Sequence, residues 1–436
     1  MRSAVIRREI CSRNSTAEPK LRSRKLARAM RGVLTLSVVS ALLLIGAQTA
    51  LAAEKVLHSF MGSPDGANPA GSTPVLGSNG NLYGTTLTGG AYNLGSVWMV
   101  TPSGTEAILH SFNADGTDGY TPAAVVLDNN GNLFGTTASG GAYGLGTVFK
   151  MTPSGTETIL WNFGSGTDGS TPGAGPTLDG KGNLYGTTTA GGAYGLGTVW
   201  ELTTSGTETI LWSFGNGKDA STPEAGVALD KNGNLYGTTF AGGTGVGTGC
   251  QSNGCGTVWK LTPSGTETVL YSFDPQNGVD GFLPDAAVVF DDKGNLYSTC
   301  HTGGADSGGT LWEVSASGTE TILWSFGSGE VAVEPYAGVV FDKNGNLYGT
   351  TYLGGVDHGD GAVYELTASG AYRLLHGFTS TGNDGFGPTA TVVMDEKGNL
   401  FGVTNHGGAY GNGTVYEIIP YSTLPIPVRG TPSHHA

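Results

Sequence analysis

Apolar and polar positions alternate in short runs along most of the chain, and Gly, Pro, Asn and Asp separate these runs. In TEAILHSF, residues 105–112, the side chains of Ile108, His110 and Phe112 fall on one face, which is the period of a β-strand. Three more strand-like runs complete this unit, at 123–128, 132–137 and 147–152. No run has helical periodicity, so the pattern predicts units of four short strands.

The string GNLYGTT, or a close variant of it, occurs seven times. Its asparagines follow one another at intervals of 51, 51, 51, 61, 51 and 53 residues: Asn81, Asn132, Asn183, Asn234, Asn295, Asn346 and Asn399. A period this regular indicates a repeat fold whose units pack on one another. Seven units of four strands predict an all-β fold, a seven-bladed β-propeller of four-stranded blades.

The two ends of the repeat region complement each other. EKVLHSF, residues 54–60, is a lone copy of the outermost strand, and the last unit stops after GTVYEII, residues 413–419, without that strand. We therefore predict a propeller over 54–419 whose last blade is completed by the N-terminal strand. A linear solenoid, the alternative, would have atypical polar ends. Because a closed ring hides its strand edges, we expect a monomer.

The repeated string itself has a structural interpretation. Gly and Asn close the turn after the innermost strand, where both tolerate a positive φ. Leu and Tyr then point to opposite faces of the blade, and the following Gly is expected to leave room for the neighbouring blade. The recurrence therefore marks no active site by itself.

Both ends of the chain outside the repeats also carry predictions. Residues 33–53 are apolar, follow Arg28 and Arg31, and end in small residues, which is typical of a secretory signal peptide over 1–53. An ordinary signal would start at Met30, so Met30 is the preferred true start. Residues 420–436 are expected to form a flexible tail. We expect a secreted, periplasmic or cell-surface protein.

The charge balance limits the choice of partners. Without residues 1–53, which hold ten Lys and Arg and two Asp and Glu, the chain has 11 basic and 33 acidic residues, a formal net charge of −22. Nucleic acid and anionic lipid are excluded as partners on electrostatic grounds, and no membrane span is expected in the mature chain. An extracellular glycan, a protein or a cation remains open as the ligand.

Three cysteines lie beyond the signal segment. Cys250 and Cys255 occur in CQSNGC, an insertion in one unit, and in an exported chain they are the preferred disulfide pair. Zinc is the alternative, but the CxxxxC spacing has no second ligand pair.

The combination of LDxxGNLYGTT, GGAYGxGTVW and LTPSGTETILWSF resembles the GloVer tandem-repeat family of exported bacterial proteins. The resemblance covers residues 54–419. It implies export and a β-repeat fold, and it assigns no reaction.

Loop length and composition vary on one face of the predicted ring, which makes that face the expected binding surface. Six aspartates there lie four residues before a proline: Asp65, Asp118, Asp168, Asp219, Asp280 and Asp384. The favoured interpretation is a turn-forming role, since Asp-Gly before a proline suits an Asx turn. The alternative is a ring of carboxylates at the channel mouth that binds Ca²⁺; no other cofactor is expected.

Histidines and tyrosines are the remaining candidates for the ligand face. His301, His358 and His406 occur in loops between the second and third strands, whereas His58, His110 and His376 occupy a strand position held elsewhere by Trp or Tyr and are expected to pack. Four exposed-loop tyrosines recur in GGAY and suit either sugar stacking or, preferably, turn packing: Tyr92, Tyr143, Tyr194 and Tyr410.

Two functional hypotheses follow. The preferred one is a non-catalytic secreted propeller that acts as a binding or surface-interaction module. The alternative is a hydrolase or lyase acting on an extracellular polysaccharide or similar substrate, with its site at the channel mouth near the loop histidines and the aspartate ring. Asymmetry is the discriminating feature, because only units four to six depart from the repeat pattern.

Overall fold

The computed structural model describes residues 52–420, except 165, 217–218, 248, 251–253, 328–331 and 356–358. These residues form an all-β fold with seven four-stranded antiparallel sheets, which are the blades of a propeller. The predicted signal peptide, apart from Ala52 and Ala53, and residues 421–436 of the predicted tail lie outside the described residues. The prediction of a seven-bladed β-propeller is confirmed.

Each blade consists of an innermost, a second, a third and an outermost strand, and blades are numbered here from the N-terminus. The innermost strands of blades 1 to 7 are Val75–Leu76, Gly119–Leu127, Thr177–Leu178, Ala228–Leu229, Val289–Phe290, Val340–Phe341 and Val393–Met394. The second strands are Leu82–Thr86, Leu133–Gly140, Leu184–Thr188, Leu235–Thr239, Leu296–Cys300, Leu347–Thr351 and Leu400–Thr404.

The third strands are Ser96–Val100, Thr147–Met151, Thr198–Leu202, Thr257–Leu261, Thr310–Val314, Ala362–Leu366 and Thr414–Ile419. The outermost strands of blades 1 to 6 are Glu106–Ser111, Glu157–Asn162, Glu208–Ser213, Glu267–Ser272, Glu320–Ser325 and Tyr372–Gly377. Ala53–Ser59 is the outermost strand of blade 7 and pairs antiparallel with Thr414–Ile419. The first strand of the propeller therefore closes the ring, as predicted.

Short ribbons continue the inner hairpin of most blades toward one face of the ring. Five are two-stranded: Gly66–Ala67 with Thr88–Gly89, Gly169–Ser170 with Ala190–Gly191, Ala220–Ser221 with Ala241–Gly242, Gly281–Phe282 with Thr302–Gly303, and Gly385–Phe386 with His406–Gly407. In blade 2 the innermost and second strands are long enough to include this pairing, and blade 6 has a single bridge between Val333 and Leu353. We call this the ribbon face. A 3₁₀ helix, Pro275–Asn277, lies in one connection.

A buried aromatic pair joins each blade to the next. Phe60, directly after the outermost strand of blade 7, packs edge-on against Trp98 in the third strand of blade 1, with ring centroids 5.7 Å apart. Both rings are fully buried. The same contact recurs in Phe112–Phe149, Phe163–Trp200, Phe214–Trp259, Phe273–Trp312, Phe326–Tyr364 and Phe378–Tyr416. The hydrophobic core is thus a ring of seven equivalent layers between blades.

The structure assigns the repeated string its roles and changes one of them. Leu82 and Tyr83 pack into different core clusters, as expected for opposite faces. Gly84 pairs in register with Trp98, and a Cβ on Gly84 would lie 2.4 Å from Trp98 Cζ2. The glycine therefore makes room for a ring of its own blade; the expectation that it accommodates the neighbouring blade was wrong.

The first threonine of the string connects blades. Thr85 Oγ1 donates a hydrogen bond of 2.7 Å to the carbonyl oxygen of Ala123 in the next blade. Five further threonines make the equivalent bond: Thr136, Thr187, Thr238, Thr299 and Thr350. Blade 7 has Val403 at this position. These bonds give buried carbonyl groups near the channel a partner in the adjacent blade.

Candidate ligand site at the channel mouth

A channel runs between the innermost strands of the seven blades. It contains a cavity of about 1080 Å³ lined by residues from every blade. Cavities of this kind are the default location of a ligand site in a ring-shaped fold. The side chains at its mouth therefore decide what the channel can bind.

Two positions in each blade lie near the mouth. The first is the residue after the proline that recurs in every unit, and in blades 1 to 7 it is Ala70, Ala123, Gly173, Glu224, Asp285, Tyr336 and Thr389. The second follows the GNLYGTT string or its variant, and it is Leu87, Ala138, Thr189, Phe240, His301, Tyr352 and Asn405. Eight of these residues line the cavity: Gly173, Thr189, Glu224, Asp285, Tyr336, Tyr352, Thr389 and Asn405. Blades 1 to 3 thus offer small or aliphatic side chains and a single hydroxyl, whereas blades 4 to 6 offer two carboxylates, a histidine and three aromatic rings.

An unusual backbone turn presents the first of these positions. The residue before each proline has a left-handed conformation, with φ of 55° at Thr121 and 57° at Leu283. Non-glycine residues rarely adopt this region, and the same turn occurs in all seven blades, with Gly387 in blade 7. The backbone of the turn therefore directs the residue after the proline toward the channel, independently of its side chain. That residue can vary without changing the fold.

Asp285 and His301 form the most buried polar pair at the mouth. His301 Nδ1 lies 3.3 Å from Asp285 Oδ2, and the two side chains are only 12% and 14% exposed. The imidazole stacks on Tyr336, with ring centroids 4.7 Å apart, and lies parallel to Phe240 at 6.1 Å. Packing and the carboxylate therefore fix the orientation of the histidine.

Burial and charge shift the ionisation of this pair. Burial raises the pKa of Asp285 above its ordinary value, although His301 opposes the shift. Burial alone would lower the pKa of His301, but Asp285, with the charges of Glu334 and Glu224, raises it. Both groups therefore hold a proton more tightly than they would in water.

Glu224 and two tyrosines complete the polar sector. The half-buried Glu224 lines the cavity, and burial, followed by the charge of Asp285, raises its pKa. Its carboxylate makes no hydrogen bond or ion pair with another residue in the described part of the chain. Tyr336 and Tyr352 also line the cavity, with their rings perpendicular and 5.6 Å apart. We call Glu224, Phe240, Asp285, His301, Tyr336 and Tyr352 the polar sector.

Comparison with protein-family models identifies the repeat. The model of the Gloeobacter/Verrucomicrobia repeat matches residues 46–250 and 244–426. The chain belongs to this family. No curated protein sequence matches the chain.

Solved structures with a similar fold are distant in sequence. Virginiamycin B lyase from Staphylococcus aureus superposes with a TM-score of 0.53 at 11% identity, over 84% of this chain and 100% of the lyase chain. The extracellular domain of a putative hybrid two-component system from B. thetaiotaomicron gives a TM-score of 0.54 at 10% identity, over 82% of this chain. This chain covers only 39% of that structure. At these identities the likeness shows the fold alone.

Sequence reasoning found one member of the polar sector. His301 was predicted for the ligand face, but Glu224, Phe240, Asp285, Tyr336 and Tyr352 were not. A signal for them was present, because the residue after the proline and the residue after the repeated string change from small or aliphatic side chains in the first units to charged and aromatic ones in units four to six. Variation at fixed positions of a symmetric repeat indicates function, not packing.

The other predicted histidines are not in the polar sector. His406 lies one residue beyond the mouth position Asn405, in the ribbon strand His406–Gly407, where its ring is 5.2 Å from Phe386. His358 lies outside the described residues. The loop tyrosines are strongly exposed, with exposed fractions of 62%, 56%, 52% and 58% for Tyr92, Tyr143, Tyr194 and Tyr410.

The six aspartates lie at the junctions between blades. Asp65 Oδ2 accepts a hydrogen bond from Met61 N at 2.9 Å, and its Oδ1 accepts one from Gly66 N. The other five aspartates also accept a hydrogen bond from a backbone N–H four to six residues upstream: Asp118, Asp168, Asp219, Asp280 and Asp384. These contacts stabilise the connection from one blade to the next. Calcium binding by the aspartates stays a prediction.

Three junctions bring a histidine, an aspartate and a glutamate together. The clusters are Glu54–His376–Asp384, His58–Asp65–Glu106 and His110–Asp118–Glu157, with ligand atoms within 4.8 Å of one another. At the junction between blades 2 and 3 the same place is taken by Trp161 of blade 2, whose Nε1 donates to Asp168 at 3.1 Å. Tyr271 also donates a hydrogen bond to its aspartate, Asp280, at 2.9 Å, whereas Trp212 Nε1 and His376 Nε2 have no hydrogen-bond partner in the described structure. Because Trp and Tyr take this position at other junctions, its occupants are not selected for metal binding alone.

The insertion in blade 4 contains the Cys250–Cys255 disulfide that the sequence predicted. Cys300 is free and buried. In the described part of the chain, no helix is long and apolar enough to cross a bilayer.

Proposed function

We propose that the protein is an exported, non-catalytic β-propeller that binds a small extracellular ligand at the mouth of its channel. The observation that carries the proposal is the asymmetry of the mouth. Fourteen equivalent positions surround the channel, and the carboxylates, the histidine and the aromatic rings occupy blades 4 to 6 only. A purely structural role would place similar side chains in every blade, as it does at the aromatic core between blades.

The chemistry of the polar sector suits recognition. Aromatic rings supply rigid contact area, and buried polar groups give specificity, which is the usual composition of a ligand site. The contacts of His301 with Asp285 and Tyr336 hold the sector in place before a ligand arrives. Preorganisation of this kind lowers the entropy cost of binding.

Export is part of the same proposal. The Cys250–Cys255 disulfide favours an oxidising compartment, and the apolar segment at 33–53 supports a secretory signal. The extracellular domain among the similar folds agrees with such a location. N-terminal sequencing of the exported protein tests it, and a mature N-terminus near residue 54 is expected.

Ligand screening tests the binding function. A thermal-shift screen of glycans, amines and short peptides, followed by calorimetric titration of the hits, is expected to find a ligand that raises the melting temperature. Tyr336→Ala is expected to abolish that stabilisation. Tyr143→Ala, which removes an exposed tyrosine outside the channel, is the matched control and should retain it. Hits that depend on Tyr143 and not on Tyr336 would place the ligand elsewhere.

The Asp285–His301 pair favours a second candidate, a hydrolase or lyase acting on extracellular polysaccharide. A histidine oriented by a carboxylate is suited to general acid–base catalysis, and Glu224 is a second titratable group in the same cavity. Release of reducing or unsaturated sugar ends from a polysaccharide panel tests this candidate. Turnover that His301→Ala abolishes without lowering the melting temperature would establish it over the non-catalytic proposal.

A further inference from the structure

The polar sector carries an excess of negative charge on the channel side. Glu224 and Asp285 line the cavity, and Glu334 lies close enough to raise the pKa of His301. Among the described residues that line the cavity, none is Lys or Arg. Even with His301 protonated, the formal charge of these three carboxylates and the histidine together is negative.

We infer that the ligand of the channel mouth is a small organic cation with an ammonium group, held by Glu224 and by the rings of Tyr336 and Tyr352. This inference rests on the proposed binding function and specifies its ligand class. It explains why carboxylates and aromatic rings occur together in the polar sector, which the asymmetry alone does not explain.

Glu224 is the group that needs a cationic partner. Its carboxylate is half-buried, faces the cavity and has no hydrogen-bonding or ionic partner within the described structure. Partial burial weakens the hydration of a carboxylate, and the positive charge of a ligand's ammonium group compensates for that loss. Asp285 is less suited to pair with a ligand cation, because its Oδ2 already forms an ion pair with His301 and its Oδ1 is buried.

The aromatic rings add a second preference for positive charge. Tyr336 and Tyr352 line the same cavity with their planes at 87° to each other. The face of a tyrosine ring attracts an ammonium group, and the attraction strengthens where water is excluded. The two rings therefore add aromatic surface that attracts positive charge to the cavity that Glu224 also lines.

The wall formed by blades 1 to 3 carries no charged side chain. Small residues line it, including Gly71, Ala124 and Gly173. These residues offer space and backbone but no charge, so the ligand is anchored at one side of a cavity of about 1080 Å³. The acidic surface of the mature chain raises the local concentration of cations and speeds their encounter with the mouth.

A charge-matched pair of probes tests the ligand class. Choline and its neutral carbon analogue 3,3-dimethylbutan-1-ol have nearly the same shape and differ in one positive charge. Calorimetric titration of the purified chain at low ionic strength and pH 8 is expected to show saturable binding of choline only. Glu224→Gln is expected to weaken it by about tenfold or more, because the substitution removes the charge that attracts the quaternary ammonium group. Asp292→Asn, in an exposed turn away from the channel, is the matched control and should leave the affinity unchanged.

The other outcomes separate the ligand class from the binding function. Equal binding of the neutral analogue, or binding of neutral glycans that Tyr352→Ala abolishes, would overturn the cation inference and leave the proposed function in place. Calcium that binds at the mouth and is lost in Glu224→Gln would replace the organic cation by a metal ion. Absence of choline binding overturns the cation inference, and absence of binding by every screened ligand removes the proposed function as well.

Discussion

His110 Nε2 lies 3.5 Å from Glu157 Oε2, so an ion pair crosses from the outermost strand of blade 1 to that of blade 2. Asp118 joins them, with its Oδ2 3.1 Å from the same nitrogen. An aspartate from a connecting loop and a glutamate from the next blade meet at two neighbouring junctions in the same way. Six glutamates on outermost strands have a buried Oε1 without a hydrogen-bond partner in the described structure: Glu54, Glu106, Glu157, Glu208, Glu267 and Glu320.

These junction glutamates predict that stability falls as pH rises. Burial, reinforced in all six by the negative charge of a nearby aspartate, raises the pKa of Glu54 to about 6, of Glu106, Glu157, Glu208 and Glu267 to about 7, and of Glu320 to about 8. A carboxyl whose pKa is higher in the folded than in the unfolded state stabilises the fold while it is protonated. The contribution is complete below about pH 4.5 and is lost between pH 6 and 8.

Thermal unfolding between pH 5 and 9 checks this prediction. The melting temperature is expected to be highest on the mildly acidic side and to fall through the neutral range. His110 and His301, whose pKa values are also raised, act in the same direction. Glu208→Gln removes one titrating group and should flatten the pH profile. A melting temperature that rises from pH 5 to pH 8 would contradict the assignment.

Ring closure by the N-terminal strand predicts a large loss of stability when the strand is removed. Deleting residues 53–60 leaves Thr414–Ile419 with an unpaired edge and removes Phe60, which is fully buried against Trp98. Phe60→Ala alone is expected to cost about 3–5 kcal/mol in the free energy of unfolding. Met61→Ala, at a residue that is 54% exposed, is the control and should be close to neutral. Chemical denaturation measures all three, and an unchanged midpoint in the deletion variant would exclude the closure.

The contact between Gly84 and Trp98 predicts that this glycine tolerates no side chain. Gly84→Ala places a methyl group 2.4 Å from the indole ring, and overpacking of this kind costs about 1–3 kcal/mol. Gly180→Ala is a suitable control, because a Cβ there has no neighbour within 4 Å. The difference between the two variants in urea unfolding gives the measurement. Equal stability would mean that the third strand can move away from the glycine.

The three cysteines of the repeat region predict a simple thiol count. With Cys250 and Cys255 joined, Cys300 is the single free thiol in the described residues, and it is fully buried. A thiol reagent is therefore expected to label the native exported protein negligibly and the unfolded, unreduced protein once. Cys250→Ser should still fold, because the disulfide closes a short loop. Rapid labelling of three thiols without reductant would show that the disulfide is not formed.

The sequence alone determined the architecture because each unit repeats its own local signals. Strand periodicity, the turn residues and the interval of about fifty residues follow from interactions within one unit, and the lone strand at 54–60 indicated how the ring closes. The turn before the repeated string is also as predicted, since Asp128 Oδ1 accepts hydrogen bonds from Asn130 N and Asn132 N within the same hairpin. Such contacts span few residues, so they can be inferred from the order of the amino acids.

Only the tertiary structure decided which residues meet across blades. Glu224, Asp285 and Tyr336 are separated by 61 and 51 residues, and the sequence does not show that a ring of the same blade faces Gly84. Their proximity depends on the closure of seven blades around one axis, which places equivalent positions of separate units side by side. His301 was recognised from its loop, but its pairing with Asp285 was not, because neighbouring positions on a ring are set by the packing of whole blades and not by local chain geometry.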